Sequence, residues 1–356
     1  MAVASGTESL AEVLDRLTVE GQLYERSAGD SRLRCVACGH RCLILDGRRG
    51  VCKVRFNQNG VLRVPHGYVG TVQCDPTEKK PFFHLLPGSR ALTFGMLGCD
   101  FHCPYCQNWV TSQTLRDPAA QIRPQLLSAE CIARTGYDLG AAVLASSYNE
   151  PLISAEWARD VFAHAQRRGL RCAFVSNGNA TAEALEFIRP VTDAYKLDLK
   201  SMNDRNYREL GGRLAPVLDS LQMVYDLGFW LEVVTLLVPA WNTSDDELRS
   251  AARFLASVSP DIPWHLTAFH KDYRMTEPEN ATSELLRRAA AIGEDAGLRY
   301  IYAGNLPGQV GRYEDTSCPG CGAVVIRRTG FEVHCNRLSA DGACPDCDTR
   351  IPGIWS

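Results

Sequence analysis

Three cysteines at C-x3-C-x2-C spacing form the part of this chain best suited to metal chemistry. Cys99, Cys103 and Cys106 follow directly on an apolar run, residues 90–97, that predicts a strand. An ordinary iron–sulfur cluster is held by four thiolates, so three thiolates on one compact loop leave one iron without a protein ligand. An open metal position distinguishes a reactive site from a structural one. The alternative is a zinc site that takes its fourth ligand from elsewhere in the chain.

Polar side chains lie at the ends of four later strand-like runs, and they predict a ligand site around the cysteine loop. They are Asn149 and Glu150, Ser176 and Asn177, Asp198 and Lys200, and His270. In parallel sheets covered by helices, ligands bind at the carboxyl ends of the strands. A carboxylate, an amide, an ammonium and an imidazole on one rim suit a zwitterionic ligand that also carries a ribose.

The elements that must position these residues alternate between strand and helix. Apolar runs predict strands at 91–97, 141–147, 172–176, 194–199, 231–238, 264–268 and 300–302. Helical patterns fill the gaps, as at 154–168 and in the helix that the capping-box sequence Ser244 to Glu247 opens and that ends near residue 256. Repeated β-α units predict an α/β fold, a partial (β/α) barrel, with a doubly wound open sheet as the alternative.

Three segments are expected along the chain. Residues 1–88 hold a short helix over 10–23, a four-cysteine group and a strand-like piece over 60–72. Residues 89–305 form the barrel. Residues 306–356 hold a second four-cysteine group with short strands at 323–327 and 331–334.

Composition excludes several classes of protein. The 356 residues are 45% hydrophobic and 22% charged, as in ordinary globular proteins. A net charge of −3 gives no electrostatic reason to expect a nucleic-acid partner. Residues 1–30 lack the basic start and apolar core of a signal peptide, and no apolar run approaches membrane-spanning length. We therefore expect a cytoplasmic protein without a membrane partner.

Eight of the fifteen cysteines form two further groups, and both predict closed four-thiolate metal sites. The C-terminal group is Cys318, Cys321, Cys344 and Cys347, and its paired Cys-Pro-x-Cys motifs predict a zinc ribbon. A nucleic-acid-binding ribbon is the alternative there, although Arg327, Arg328 and Arg337 more simply form a solvated basic face. The N-terminal group is Cys35, Cys38, Cys42 and Cys52, for which zinc is favoured and an auxiliary iron–sulfur cluster for electron delivery is the alternative.

The cysteine loop resembles the signature of the radical S-adenosylmethionine (SAM) enzymes. Residues 195–204 and 237–242 resemble the corresponding stretches of pyruvate formate-lyase activating enzymes. This resemblance implies that Cys99, Cys103 and Cys106 bind a [4Fe-4S] cluster whose open iron chelates SAM, and that Tyr105 borders the adenine. It also implies positions for the seven strand-end residues. Asn149 and Glu150 would lie near the methionyl amino group, Ser176 and Asn177 near the ribose or amino end, Asp198 and Lys200 against the amino acid moiety, and His270 against the adenosine.

A narrower resemblance spans residues 35–355. The run 106–109, the run 78–81, both four-cysteine groups and the segment 302–305 are similar to the AmmeMemoRadiSam system radical SAM proteins. That resemblance implies an electron donor such as flavodoxin or ferredoxin, and Memo-like and AMMECR-type proteins as possible partners.

Three functions compete at this point. The first is a radical SAM enzyme that cleaves SAM reductively to a 5′-deoxyadenosyl radical, which abstracts hydrogen from an unidentified substrate. The second is an activase that installs a glycyl radical on a partner protein. The third is a noncatalytic, metal-stabilised binding module, against which the intact cysteine loop and the strand-end polar groups argue.

Overall fold

The computed structural model describes residues 8–26 and 31–356. Residues 1–7 and 27–30 lie outside the described part. They belong to the expected N-terminal segment 1–88 and to the stretch 1–30 in which no signal peptide was expected. Within the described part, no helix is both long enough and apolar enough to cross a membrane.

The N-terminal segment is built of short strands around one short helix. Its elements are α1 (Leu10–Arg16), β1 (Thr18–Glu20), β2 (Tyr24–Arg26), β3 (Leu33–Cys35), β4 (Leu43–Ile44), β5 (Phe56–Gln58), β6 (Val61–Pro65) and β7 (Tyr68–Val69). The predicted helix over 10–23 is wrong beyond Arg16, because Thr18–Glu20 pairs antiparallel with β6. The β-branched Thr18 and Val19 favour that strand over a longer helix.

The central sheet has eight strands, and helices connect its parallel members. Its elements, with their connections, are β8 (Thr71–Pro76), β9 (Arg90–Gly95), α2 (Trp109–Ser112), β10 (Gln125–Leu126), α3 (Ala129–Asp138), β11 (Val143–Ser146), α4 (Ala155–Gln166), β12 (Arg171–Ser176), α5 (Ala182–Ile188), β13 (Ala194–Asp198), α6 (Asp204–Glu209), α7 (Leu214–Asp226), β14 (Trp230–Leu237), α8 (Asp245–Val258), β15 (Trp264–Ala268), α9 (Ser283–Asp295) and β16 (Ile301–Gly304). Short 3-10 turns lie at Thr77–Lys79, Pro151–Ser154, Arg189–Val191 and Gly311–Glu314. The strand β10 pairs with β7 outside the central sheet.

The strand order is β16-β15-β14-β13-β12-β11-β9-β8, so the sheet runs through the chain without a reversal of order. The seven strands from β9 to β16 are mutually parallel, and all seven coincide with predicted strands to within a few residues. The eighth strand, β8, pairs antiparallel to β9. The single strand expected over 60–72 is instead interrupted at Gly67, which has φ +74°, and its last two residues begin β8. Residues of both edge strands line one cavity with residues of β12 and β13, so the sheet curls into a partial barrel.

The two faces of the sheet are packed differently. Leu92, Phe94, Phe174 and Tyr195 face the helices in the main hydrophobic core. The opposite face carries small residues, which alternate with these because side chains along a strand point to opposite sides. They are Ala91, Ala145, Ala173 and Ala194, and they pack against Phe82 and Leu85. The segment around Phe82 thus fills one end of the barrel interior and leaves the other end open.

The helix α8 begins as its sequence predicts, but half of the expected capping box is wrong. The Ser244 side chain accepts a hydrogen bond from Glu247 N (3.3 Å). The Glu247 carboxylate does not accept the second hydrogen bond of the box, from the backbone N–H of Ser244. Its Oε1 accepts instead from Met202 N (2.9 Å) and from the hydroxyl of Ser201. The glutamate therefore holds the loop after β13 against α8 rather than closing the helix end.

The C-terminal segment packs onto the barrel as a small antiparallel sheet. Its strands are β17 (Thr316–Ser317), β18 (Val324–Thr329) and β19 (Glu332–Asn336), in agreement with the two short strands expected there. Cys318, Val325 and Ile326 share a hydrophobic cluster with Tyr302 of the barrel and with Phe83, which precedes the first barrel strand. The ribbon and the barrel are therefore joined by a common core.

Candidate active site

The cysteine loop leaves the carboxyl end of β9 and is held on several sides. Gly98 has φ +90°, and a Cβ there would lie 2.9 Å from Cys52 O, so only glycine fits. Gly98 N donates to Thr111 O (3.0 Å), and Arg274 N donates to Pro104 O (2.9 Å). These bonds fix the loop between the N-terminal segment and the carboxyl end of the barrel.

The three loop thiols do not converge as the ligands of a single ion would. Among the described residues, only the C-terminal group brings three or more metal-binding side chains within 4.8 Å of one another, so the loop thiols do not form such a set. Cys103 is 8% exposed, and burial raises its pKa to about 12. A single ion requires close convergence of its ligands, whereas a cluster lets each cysteine bind a different iron. The arrangement fits a cluster better than one ion.

Tyr105 and His270 lie on the cavity side of this loop. The Tyr105 ring is 5% exposed and meets the Trp241 ring edge-on with centroids 5.6 Å apart. His270 is exposed, and its Nε2 accepts from the Gln107 amide (2.9 Å). Gln107, the residue that follows Cys106, therefore orients the His270 imidazole, which the sequence analysis had assigned to the site.

Asp198 and Lys200 form a charged group with a residue that sequence analysis missed, Lys196. Lys200 Nζ donates to Asp198 Oδ2 (3.0 Å), and Lys196 Nζ donates to Asp198 Oδ1. Burial opposes ionisation of Asp198, but the two ammonium groups outweigh it and lower the pKa of that carboxyl to about 2. Burial lowers the pKa of Lys196. Side chains along a strand alternate between its two faces, so Lys196 lies on the same face of β13 as Ala194 and Asp198. That alternation could have identified Lys196 from the sequence.

Glu150, Ser176 and Asn177 form a buried network behind the cavity wall. Glu150 Oε1 accepts from Ser176 Oγ (2.8 Å), and its Oε2 accepts from Asn177 N (2.7 Å). Burial and the neighbouring Asp100 raise the pKa of Glu150 to about 8. Asn149 Oδ1 accepts from Met96 N (3.1 Å). In this structure these four residues fix the strand ends, and their contact with a ligand stays a prediction.

Asp100 is the second residue that sequence analysis missed. Its carboxylate accepts from Asn177 Nδ2 (2.7 Å) and Asn179 Nδ2 (2.8 Å) and is 2% exposed as a residue. An aspartate between two ligand cysteines was a visible signal, but its amide partners come from the loop after β12, 77 and 79 residues away. The network ties the cysteine loop to the strand end at Ser176.

A cavity of about 1280 Å³ opens from the cysteine loop into the barrel. Cys103, Tyr105 and Cys106 line it at one side, with Asp198, Lys200 and His270 from the strand ends. Tyr148, held at φ +69° by a bond from Thr111 Oγ1 to its carbonyl (3.1 Å), also faces this space. The hairpin tip of the C-terminal ribbon, residues 329–333, forms the opposite wall. The ribbon therefore shapes the space in which a substrate would lie.

The buried side chain of Arg328 holds that wall in place. Its guanidinium donates to Phe83 O (2.8 Å) and Thr316 Oγ1 (2.8 Å) and lies over the Phe83 ring at 4.4 Å. It is 3% exposed. The expectation that Arg328 belongs to a solvated basic face is wrong, because the folded ribbon turns this side chain into the barrel.

The C-terminal cysteines converge as predicted. All four Sγ atoms lie within 4.8 Å of one another, with Cys318 and Cys347 at 3.5 Å and Cys321 and Cys344 at 3.8 Å. Zinc–sulfur bonds of about 2.3 Å in a tetrahedron place the sulfurs about 3.8 Å apart. The donor set and its spacing fit one tetrahedral ion.

Comparison with known proteins gives a consistent family. The family model described as "Radical SAM superfamily" matches residues 94–255. The chain is 33% identical over 335 residues to the uncharacterized protein MJ0808 of Methanocaldococcus jannaschii, covering 93% of this chain and 98% of that protein. It is 24% identical over 230 residues to the pyruvate formate-lyase 1-activating enzyme of Escherichia coli K12, covering 61% of this chain and 93% of that enzyme. The crystal structure of Streptococcus suis SuiB bound to S-adenosylmethionine shares the fold at a TM-score of 0.50 and 13% identity, over 67% of this chain and 54% of SuiB.

Proposed function

Because this chain belongs to the radical SAM superfamily, whose members are enzymes that use SAM and an iron–sulfur cluster, we propose that it cleaves SAM reductively. In the proposed reaction the cluster is [4Fe-4S], and the products are methionine and a 5′-deoxyadenosyl radical that abstracts hydrogen from a substrate in the barrel cavity. The observation that carries the proposal is the three-cysteine loop facing a 1280 Å³ cavity beside the Asp198–Lys200 pair.

The side chains of the loop and strand ends would bind and orient the cofactors. Cys99, Cys103 and Cys106 would ligate three irons and leave the fourth open. The Lys200 ammonium would attract the carboxylate of SAM, and Asp198 would keep that ammonium in place. Tyr105 would offer an apolar ring to the adenine, and His270, fixed by Gln107, would lie against the adenosine.

The buried network around Glu150 would contribute to SAM binding through its rigidity and its charge. A cationic amino group brought close to Glu150 would favour ionisation of that carboxyl, whose pKa burial raises. The hydrogen bonds from Ser176 Oγ and Asn177 N already hold Glu150 in one orientation.

The C-terminal group is proposed to hold zinc. Four thiolates at tetrahedral spacing leave no open position, so the site would be structural. Its role would be to fold the ribbon and so to set the wall formed by residues 329–333.

A glycyl-radical activase is the second candidate, and the similarity to pyruvate formate-lyase 1-activating enzyme favours it. The partner of that reaction would be a protein, whereas the first candidate acts on its own substrate. Incubation with partner proteins, including Memo-like and AMMECR-type proteins, followed by spectroscopy for a glycyl-type radical separates the two. Flavodoxin or ferredoxin is the proposed electron donor in both cases.

The variant Cys103→Ala tests the proposed reaction. Its loss of one iron ligand is expected to reduce the iron content and to abolish 5′-deoxyadenosine formation under anaerobic reduction. Cys131→Ala, a change on α3 outside the loop, is the matched control and should retain both. Normal 5′-deoxyadenosine formation by Cys103→Ala would contradict the proposal.

A further inference from the structure

The four N-terminal cysteines lie together on one folded unit. Cys35 ends β3, Cys42 precedes β4, and Cys35 N donates to Cys42 O (2.9 Å). Cys35, Cys38 and Cys52 are each about 5% exposed. Cys35 interacts electrostatically with Cys38, Cys42 and Cys52, so the four thiols are neighbours. They form one buried set of potential ligands.

The spacing of this set differs from that of the C-terminal group. Within residues 8–26 and 31–356, no three of these four cysteines place their sulfurs within 4.8 Å of one another, whereas all four C-terminal sulfurs meet that spacing. One tetrahedral ion needs sulfurs about 3.8 Å apart. A polynuclear cluster distributes four cysteines over several irons and separates them further. In this respect the N-terminal set resembles the cysteine loop.

The surroundings of the set suit an anionic group. The Arg55 guanidinium is 1% exposed, and its two terminal nitrogens pair with the Glu156 carboxylate. Its Nε has no hydrogen-bond partner, and the group interacts electrostatically with Cys35 and Cys52. His40 Nε2 is also buried without a partner, 3.9 Å from Asp100 Oδ2. Four thiolates around iron and sulfide carry net negative charge, which a buried guanidinium stabilises.

The set also adjoins the cysteine loop. Cys52 O lies against Gly98, and the Arg116 guanidinium donates to Val51 O (2.5 Å) and Phe101 O (3.2 Å), one from each unit. Asp100 interacts electrostatically with Cys38 of the N-terminal set and with Cys99 of the loop. A single buried carboxylate thus lies between the two groups of thiols.

From this geometry we infer that Cys35, Cys38, Cys42 and Cys52 hold a second, polynuclear iron–sulfur cluster that passes electrons to the cysteine loop. With four thiolate ligands it has no open iron and does not bind SAM. A low-potential donor such as flavodoxin gives it one electron, which moves to the loop cluster, and SAM cleavage consumes that electron. The relay role rests on the proposed function, whereas the cluster itself does not.

The triple variant C99A/C103A/C106A tests the cluster, since it leaves the N-terminal set intact. The variant is expected to keep about one third to one half of the iron and acid-labile sulfide of the wild type, for two or four irons in the second cluster. Absence of acid-labile sulfide, or a second equivalent of zinc in its place, would overturn the inference. Circular dichroism and size-exclusion chromatography check that the variant is folded, and Cys131→Ala is the matched control.

The complementary variant C38A/C52A separates this inference from the proposed function. We expect it to keep the remaining iron, to bind SAM and to cleave SAM with dithionite, but to lose cleavage driven by flavodoxin. Unchanged flavodoxin-driven cleavage would overturn the relay. If C38A/C52A held no cluster while the loop variant held one, the proposed function would fail and the second cluster would stand. Should C38A/C52A fail to fold, the loop variant and Cys42→Ser, a change at the half-buried cysteine, decide the matter.

Discussion

The two four-cysteine groups of this chain look alike in sequence and differ in the folded protein. The C-terminal cysteines sit on two short turns, and Cys321 and Cys347 are exposed. Their sulfurs meet the spacing of a single ion. Of the N-terminal cysteines, three are buried and Cys42 is half-buried; the group lies beside the cysteine loop and does not meet that spacing. The comparison teaches that two four-cysteine groups alike in sequence differ in sulfur spacing and surroundings, the two features that distinguish a single-ion site from a cluster site.

The groups also differ in how they are joined to the barrel. Arg55, beneath the N-terminal group, makes a bidentate ion pair with Glu156 (2.7 and 2.8 Å). Arg328, above the cavity, instead binds the backbone carbonyl of Phe83, and its closest carboxylate, Glu78, lies at 3.8 Å. Both arginines therefore face a buried carboxylate, but Arg55 is hydrogen-bonded to its partner, whereas Arg328 is hydrogen-bonded to neutral oxygens and lies farther from Glu78.

The largest effect is expected from Cys344→Ser in the C-terminal group. Loss of one ligand should remove the zinc, and because metal-binding energy is folding energy the ribbon should unfold from the barrel. Metal analysis and limited proteolysis of residues 306–356 measure this, and the iron content should not change. The matched control is Cys335→Ser, an exposed cysteine of β19 outside the group. Equal zinc loss in the control would contradict the four-cysteine assignment.

A smaller but substantial effect is expected from Arg55→Met under the N-terminal group. The change leaves Glu156, 5% exposed, as an unpaired buried carboxylate, which costs about 3–5 kcal/mol. Glu156 also accepts from the backbone N–H groups of Gln22 and Leu23, so the N-terminal segment should loosen with it. Denaturant unfolding measures the change. Arg48→Met, at an exposed position nearby, should cost about 0.5 kcal/mol or less.

The smallest effect is expected from His84→Gln, which tests the acid sensitivity of the C-terminal attachment. His84 bonds to Pro352 O (2.7 Å) and Tyr302 OH (2.6 Å), and burial lowers its pKa to about 4. The unfolded chain binds more protons between pH 4 and 6.5, so stability rises with pH across that window. The lowering of the His84 pKa from 6.5 to about 4 corresponds to about 3 kcal/mol of unfolding free energy, which is lost as pH falls across that window.

The measurement for this prediction is unfolding of the wild type and His84→Gln from pH 4 to 7. The variant should lose less stability on acidification than the wild type. If the unfolding free energies of the two proteins changed equally with pH, the prediction would be contradicted. Despite burial, Arg55 lowers the pKa of the Glu156 carboxyl below its usual value of 4.5, so the stability that this ion pair contributes is retained from pH 6.5 to about 5 and falls only at the acid end of the window.

Some of the fold could be predicted from the sequence and some could not, for identifiable reasons. The strands of the parallel sheet were visible because buried strands read as short apolar runs, and the cysteine loop followed the first of them. The strand β8 was predicted only at its first two residues, as the end of the 60–72 piece, because it is antiparallel to its neighbour and joins the sheet only through β9. The predicted helix over 10–23 was too long because residues 18–20 form β1, and the strand that pairs with β1, β6, lies more than forty residues further along the chain.

The candidate site divides in the same way. Asp198, Lys200 and His270 face the cavity as their positions at strand ends suggested, and Tyr105 faces it from the cysteine loop. Glu150 and Ser176 turned out to bond to each other, and the partners of Asp100 lie on another loop. Residue type and strand-end position were readable in sequence, whereas these pairings depend on how neighbouring strand ends meet.

By itself, the sequence determined the chemistry available to this protein. It fixed three cysteines on one loop, charged groups at strand ends and two further sets of thiols, because local spacing and apolar periodicity are properties of the chain. Only the tertiary structure decided which sulfurs converge, that Arg328 points inward, and that the ribbon walls the cavity. Those outcomes depend on contacts between residues far apart in the chain, which form when the barrel curls and buries its edges.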